Sequence, residues 1–220
     1  MRKALIAGID YYEHLDALSS CVSDAVAVKR VLERNGDNTP NFKTPMLMLG
    51  DSAQNPITKR ALKNAAQALF KDDAEIALFY FAGHGHVEEV GGYLCSSDSV
   101  QGDDGLSLSE LVSMASKSPA KNRIIVLDSC HSGAAGNSTL ATGNTAEITE
   151  GLTILTASTS YQIAQEQPVG GGGVFTNLFV NALEGAAMNL VGAVTPGSVY
   201  AHIDQSLGPL GATSHVQNPR

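Results

Sequence analysis

Glu75-Ile76-Ala77-Leu78-Phe79-Tyr80-Phe81-Ala82-Gly83-His84-Gly85 and Arg123-Ile124-Ile125-Val126-Leu127-Asp128-Ser129-Cys130-His131-Ser132-Gly133 decide how this chain is read. Each opens with an apolar run of strand length that does not alternate with polar residues, the pattern of a strand buried on both faces of a parallel sheet. Each run then delivers a reactive side chain, which predicts His84 and Cys130 at strand carboxyl ends, the edge where an open α/β sheet carries its chemistry. A thiol and an imidazole 46 positions apart, brought to one edge, are the parts of a nucleophile with its base. Either residue alone is more often structural; the pair at matched strand ends favours chemistry. Glycines on both sides of His84 predict a tight backbone turn with outward amides, so that the Gly85 and Cys130 N–H groups form an oxyanion hole.

Outward from these segments the alternation continues. Lys3 to Ile9 reads as a first strand, and Cys21 to Arg34 as a helix that ends near Gly36. Thr44 to Leu49 reads as a second strand, followed by a helix from Pro56 to about Phe70 and a third strand from Glu75 to Ala82. A helix from Ser107 to Ala115 precedes the strand ending at Leu127 or Asp128, after which come a strand over Leu152 to Ala157 and helices over Phe175 to Ala187 and Ser198 to Leu207. Such an order predicts an α/β fold with a parallel sheet covered on both faces. Asn137 to Glu150, rich in Gly, Ser, Thr and Asn, and Gly170 to Gly173 read as mobile loops.

A length of 220 residues is enough for one sizeable core, and no linker composition divides the chain, so a single domain over 1–220 is expected. Apolar content of 43% with 16% charged residues argues against disorder, and no apolar run approaches the roughly 18 residues of a membrane span. Asp10 and Glu13 interrupt a brief likeness to a signal peptide. The scattered Cys21, Cys95 and Cys130 do not form a disulfide framework and suit a reducing cytoplasm, with Cys95 read as a small buried hydrophobe. A net charge of −8 disfavours nucleic acid and favours basic peptides. Of the 14 Lys and Arg residues, 13 lie at or before Arg123 and the last is Arg220, so Ile124 to Pro219 holds no basic side chain.

Tyr80-Phe81-Ala82-Gly83-His84-Gly85 and Asp128-Ser129-Cys130-His131-Ser132-Gly133 resemble the caspase-like peptidases, most closely the metacaspases and their bacterial relatives, the orthocaspases. The likeness extends to Ala4-Leu5-Ile6-Ala7-Gly8 with Tyr11, to Gly173-Val174-Phe175-Thr176 and to the closing Gln217-Asn218-Pro219. It implies a three-layer α/β/α sandwich with a mostly parallel sheet of about six strands, large-subunit-like over 1–136 and small-subunit-like over 151–220, with a mobile linker at 137–150. It also implies a cysteine endopeptidase with His84 and Cys130 as its dyad. Asp128, two residues before the nucleophile, flanks any inserted side chain, and a carboxylate in a partly buried pocket selects Lys or Arg. On its residues alone Asp24 reads equally well as a helix-start acid favourable to the dipole; by the resemblance Cys21 and Asp24 line the same pocket, with Ala82 in its wall where many metacaspases carry serine.

The family's calcium site looks incomplete. Asp98 is suitably placed, but Ser107-Leu108-Ser109 and Asn137 stand where acids are expected, and only Asp103 and Asp104 offer compensation. No cofactor is therefore expected to be required. An enzyme cutting after Lys or Arg is not expected to process itself between Ile124 and Pro219, so activation would fall to another protease or a regulatory partner. Other readings carry less: zinc on His84, His86, Cys130 and His131, or a phosphate loop at Gly170 to Gly173, which lacks the Lys-Ser/Thr such a loop needs. That glycine run is better read as covering substrate, with Gln165 and Glu166 before it. A catalytically silent scaffold of the same fold, binding partners, is the alternative from a different class.

Overall fold

The structure is a computed structural model and describes residues 1–88, 91–100, 105–130, 148–149, 151–157 and 173–212. The elements are β1 (Arg2–Ile9), α1 (Cys21–Glu33), β2 (Met46–Gly50), α2 (Lys59–Lys71), β3 (Ile76–Glu88), β4 (Gly91–Leu94), β5 (Leu106–Ser107), α3 (Leu108–Ser116), β6 (Asn122–Cys130), β7 (Ile148–Thr149), β8 (Leu152–Thr156), α4 (Val174–Asn181) and α5 (Pro196–Ala212). The main sheet runs β2-β1-β3-β6-β8-β7, with the first five strands parallel and β7 antiparallel at the edge.

Burial on both faces follows directly from the sequence of each central strand. Leu5, Ala7 and Ile9 of β1 and Phe79 and Phe81 of β3 belong to one apolar layer, packed by Leu62, Ala66, Leu69 and Phe70 of α2 and by Leu111 and Ala115 of α3. Ala4 and Ile6 of β1 and Leu78, Tyr80 and Ala82 of β3 belong to the other, packed by Ala25, Val28 and Leu32 of α1, Phe175 and Phe179 of α4, and Val199 and Ile203 of α5. The result is the three-layer sandwich expected of this pattern.

Three local features differ from the sequence reading. β3 does not end at Ala82: it pairs with β6 as far as His84 and then continues as an antiparallel hairpin with β4, from Gly85↔Leu94 to Glu88↔Gly91. The glycines beside His84 therefore form no turn, and the short glycine-bearing β4 and the two-residue β5 carry too little apolar pattern to be recognised. Within the segment read as a mobile linker, Ile148–Thr149 pairs with β8; the remainder of 137–150 lies outside the described residues. The helix over Phe175 to Ala187 is interrupted: α4 passes into a π-helical turn, Ala182–Ala186, where Gly185 takes φ 123°, a conformation natural only to glycine.

The start of α1 rests on the carboxyl end of β1. Asp10 Oδ1 accepts the amide hydrogens of Cys21 at 2.8 Å and Val22 at 3.4 Å, capping a helix whose own N-cap, Ser20, makes no side-chain cap. A Cβ at Gly8 would fall 2.2 Å from the Cys21 carbonyl oxygen and 2.7 Å from Ala25 Cβ, so only glycine admits the helix at this depth. Gly8→Ala is expected to cost about 1–3 kcal/mol of unfolding free energy by overpacking. Gly36→Ala, whose methyl meets nothing within 4 Å, should stay within about 0.5 kcal/mol of the parent; urea denaturation of both variants checks the contrast.

Candidate active site

Parallel pairing of β3 with β6 places Ala82 beside Asp128, Gly83 beside Ser129 and His84 beside Cys130. Adjacent strands lie about 4.8 Å apart, so the backbones of His84 and Cys130 are direct neighbours at the last rung of the parallel ladder. The topological switch point of the sheet lies beside this pair, between β1 and β3. From β1 the chain crosses to β2 on one side, while β3 leads to β6 on the other.

His84 is held from the loop after β1. Its Nε2 lies 2.8 Å from the Asp16 carbonyl oxygen, and a carbonyl can only accept, so this bond fixes the tautomer with hydrogen on Nε2 and leaves Nδ1 as the basic nitrogen. Its backbone amide donates to the Tyr12 hydroxyl at 2.8 Å, and the Tyr12 ring packs on the imidazole with centroids 4.7 Å apart. Tyr12 is buried, which raises its hydroxyl far above its ordinary pKa and keeps it protonated. Gly83 is what admits it: a Cβ there would fall 2.6 Å from the Tyr12 oxygen.

The hairpin aims the next amide. Cys95 donates its amide hydrogen to the His84 carbonyl at 2.9 Å, which makes 84 and 95 the hydrogen-bonded pair. By the alternation of an antiparallel ladder, the Gly85 N–H points away from β4.

Two rungs below, the acids converge. Asp24 of α1 is 4% exposed and accepts the Gly173 amide on both oxygens, at 3.2 and 3.0 Å. Asp128 of β6 accepts the Thr176 hydroxyl at 2.5 Å, and Thr176 Oγ1 lies 2.5 Å from the hydroxyl of Tyr80, which is fully buried. Burial raises the pKa of Asp128, and its hydrogen bonds from Thr176 oppose that rise. Burial likewise raises the Tyr80 hydroxyl, assisted by Asp128, Asp24 and Cys21, so these groups surround one point. Cys21 begins α1 and is buried, and Ala82 stands beside Asp128 on the neighbouring strand.

The structure thus gathers Cys21, Asp24, Ala82 and Asp128 around Tyr80 and brings the backbones of His84 and Cys130 together at the sheet edge. Asp98 is elsewhere: its Oδ1 accepts the amide of Lys59, where α2 begins, and the Ser96 hydroxyl, at 2.8 and 2.7 Å. Among the described residues no group of three or more His, Cys, Asp or Glu stands together as a metal site. Asp103, Asp104, His131, Asn137, Gln165, Glu166, Gly170–Gly172 and Gln217–Pro219 lie outside the described residues.

Tyr12, the Asp16 carbonyl, Tyr80 and Thr176 went unrecognised as site residues in the sequence. A tandem Tyr11-Tyr12 directly after a strand, and a hydroxyl on the apolar face of α4, were the signals available for Tyr12 and Thr176.

No helix among the described residues is long and apolar enough to cross a membrane. The model of the caspase domain family matches residues 1–218. Metacaspase-1 of Ajellomyces capsulatus (strain NAm1 / WU24) is 29% identical over 154 residues, which cover 61% of this chain and 41% of that protein. The chain therefore spans less than half the length of this curated relative. With the match running almost end to end, the chain belongs to the caspase domain family of cysteine peptidases, and it is similar to a metacaspase.

Proposed function

We propose that this protein is a cysteine endopeptidase that cleaves peptide bonds after arginine or lysine, with Cys130 as nucleophile and His84 as base. The observation that carries the reading is the shared register: His84↔Cys130 at the ladder's end, and Ala82↔Asp128 two rungs below on the face that also holds Asp24. Two residues of strand span about 7 Å, the separation needed between a scissile carbonyl at the sulfur and a long side chain reaching the acids.

His84 Nδ1 takes the thiol proton of Cys130, and the thiolate attacks the substrate carbonyl carbon. The carbonyl π pair moves onto oxygen, where the N–H groups of Gly85 and Cys130 receive it. On collapse, the carbon–nitrogen bond breaks, the amine leaves with the proton held by His84, and an acyl-enzyme remains. Water then adds, with His84 again taking its proton, and the carboxylic acid departs as the thiolate is released. Throughout, the Asp16 carbonyl keeps the tautomer and stabilises the imidazolium. Between Asp24 and Asp128, two carboxylates that accept from the Gly173 amide and the Thr176 hydroxyl favour a guanidinium or ammonium guest over a neutral one. No cofactor is required, and calcium has at most a weak effect, because Asp98 is already engaged at the start of α2.

Covalent labelling tests the core of this reading. A peptide ending in arginine with a thiol-reactive carbonyl warhead is expected to label Cys130, and His84→Ala should slow labelling by about 100-fold or more. Cys130→Ala should abolish it, and EGTA should leave it within about two-fold. An intact fold that is never labelled would instead favour a catalytically silent scaffold.

Asp128→Asn separates function from stability. A carboxyl whose folded pKa is raised stabilises the fold only at low pH, and that contribution is lost as pH rises from the ordinary carboxylate range through the raised value. The Asn variant should therefore gain Tm relative to the parent at pH 7 more than at pH 4, while losing cleavage after basic residues. Melting curves at the two pH values check the sign. Self-processing gives a further measurement: prolonged incubation followed by intact-mass analysis should show no cut anywhere in Ile124 to Pro219, where the chain has no Lys or Arg.

A further inference from the structure

Gly173 and Thr176 take part in no chemical step above, yet both touch the acids of the pocket. Gly173 has φ −53° and ψ 139°, a conformation open to other residues, so its backbone does not call for glycine. The space beside it is tight: an added Cβ would lie 3.0 Å from Asp128 Oδ2 and 3.2 Å from Asp24 Oδ2, so both carboxylates would have to give by a few tenths of an ångström. One helical turn later, Thr176, 1% exposed, gives its only hydroxyl hydrogen to Asp128. Its oxygen is then left to accept, so Tyr80, fully buried behind it, is the donor of the second bond. A chain of hydroxyls thus runs from the core of the sheet to one oxygen of Asp128, and the α4 amide terminus occupies Asp24.

We propose that Gly173 and Thr176 set the specificity of the cleavage after basic residues, resting on the reading above: Gly173 keeps the space between the two carboxylates open for the cationic head of the substrate, and Thr176 positions Asp128 to meet it. Thr176 acts through Asp128 and is a positioning residue. Gly173 acts by what it lacks, because a methyl at its position would put carbon where the guest's N–H groups must approach both acids. The pocket is therefore complete only with α4 docked against α1 and β6, since Asp24 and Asp128 come from the first 130 residues and Gly173 and Thr176 from after 170.

Charge state follows the same bonds. Asp24 of α1 faces Asp128 across Gly173, and Asp128, Asp24 and Cys21 all act on Tyr80 of β3; α4 offers Asp128 the Thr176 hydroxyl and backbone amide but no ionisable side chain, and β8 carries none either. With Tyr80 protonated, Thr176 is the donor that offsets the burial of Asp128. Removing its hydroxyl leaves the carboxyl holding its proton to higher pH, where it no longer attracts a cation.

The test uses the full chain as wild type and as Gly173→Ala, Thr176→Val and Thr176→Ser. Matched peptides carry Arg, Lys or citrulline before the scissile bond, and iodoacetamide labelling of Cys130 serves as a readout that does not use the pocket. Gly173→Ala and Thr176→Val are expected to raise KM for Arg and Lys peptides by about ten-fold or more. Iodoacetamide labelling should stay within about two-fold, and Thr176→Ser should return KM to within about three-fold of wild type. The acid limb of kcat/KM should move to higher pH in Thr176→Val and not in Thr176→Ser. Wild-type KM values in Gly173→Ala and Thr176→Val, with the parent still preferring Arg to citrulline, would overturn this inference and leave basic specificity standing. A parent that cuts Arg and citrulline peptides equally would remove both. Should Thr176→Val not melt cooperatively, Gly173→Ala decides, and an unchanged KM there overturns the proposal.

Discussion

Nine consecutive rungs of parallel pairing, Ile76↔Asn122 to His84↔Cys130, carry the rest of this structure. They are held from both sides: Phe79 and Phe81 are buried in one apolar layer, and Leu78, Tyr80 and Ala82 in the other. Because strand side chains alternate with a period of two, a slip of one residue would exchange those layers and carry Asp128 away from α1 and α4. The bulk of Phe79, Tyr80 and Phe81, each 0% exposed, makes such a slip costly. The distance relations of the site therefore need no dedicated scaffold. They are consequences of core packing, which ties the chemistry at residue 84 to side chains that never approach a substrate.

The pocket is the opposite kind of construction, since it works against the fold. Two carboxylates face one glycine from within the protein, and removing an ionised carboxylate from water is costly unless donors replace the lost hydration. Among the donors are the Gly173 amide to Asp24 and the Thr176 hydroxyl to Asp128, both neutral. Neutral donors of this kind offset only part of that cost. On the proposed reading a basic guest would offset more of it, so such a cleft trades stability for binding. Tyr80 shows where the compensation lies: its ring fills the layer beneath α4 while its hydroxyl supports Thr176.

Much of this was legible in the sequence, and the gaps have physical causes. Unbroken apolar runs identified the central strands, because a strand covered on both faces has no polar side to show. The helix over Cys21 to Arg34 was likewise readable, whereas the placing of Asp24 with Asp128 was implied only by the family resemblance, since Asp24 alone was equally consistent with a dipole-favouring acid. Glycines misled at Gly83: read as a turn former, it is a clearance for the Tyr12 hydroxyl within a strand that runs on to Glu88. A glycine in sequence states that a side chain is unwelcome without saying whether conformation or space forbids it. Tyr12, Thr176 and the Asp16 carbonyl were hidden for a related reason. Each acts through a single hydrogen bond across a long sequence separation, and no local periodicity encodes that.

The loop after β1 performs three tasks with three residues. Asp10 caps α1 and so sets the depth of Asp24, Tyr12 fastens the His84 backbone, and Asp16 holds its ring. Acid pocket and imidazole are thereby placed by one short segment, which is itself pinned by the amides of Asp10 and Tyr11 donating to the Gly50 carbonyl at 2.9 Å. Against this concentration in the amino-terminal part, the remaining pocket contributions, Gly173 and Thr176, arrive from within the chain's long cation-free stretch. The two facts belong together. If the pocket accepts only a basic guest, the peptide between β6 and α4 contains nothing it can cut, because no Lys or Arg occurs from Ile124 to Pro219. The strand bearing Asp128 and the helix bearing Thr176 then stay covalently joined in the presence of their own activity, and any separation of the two must come from a protease of different preference.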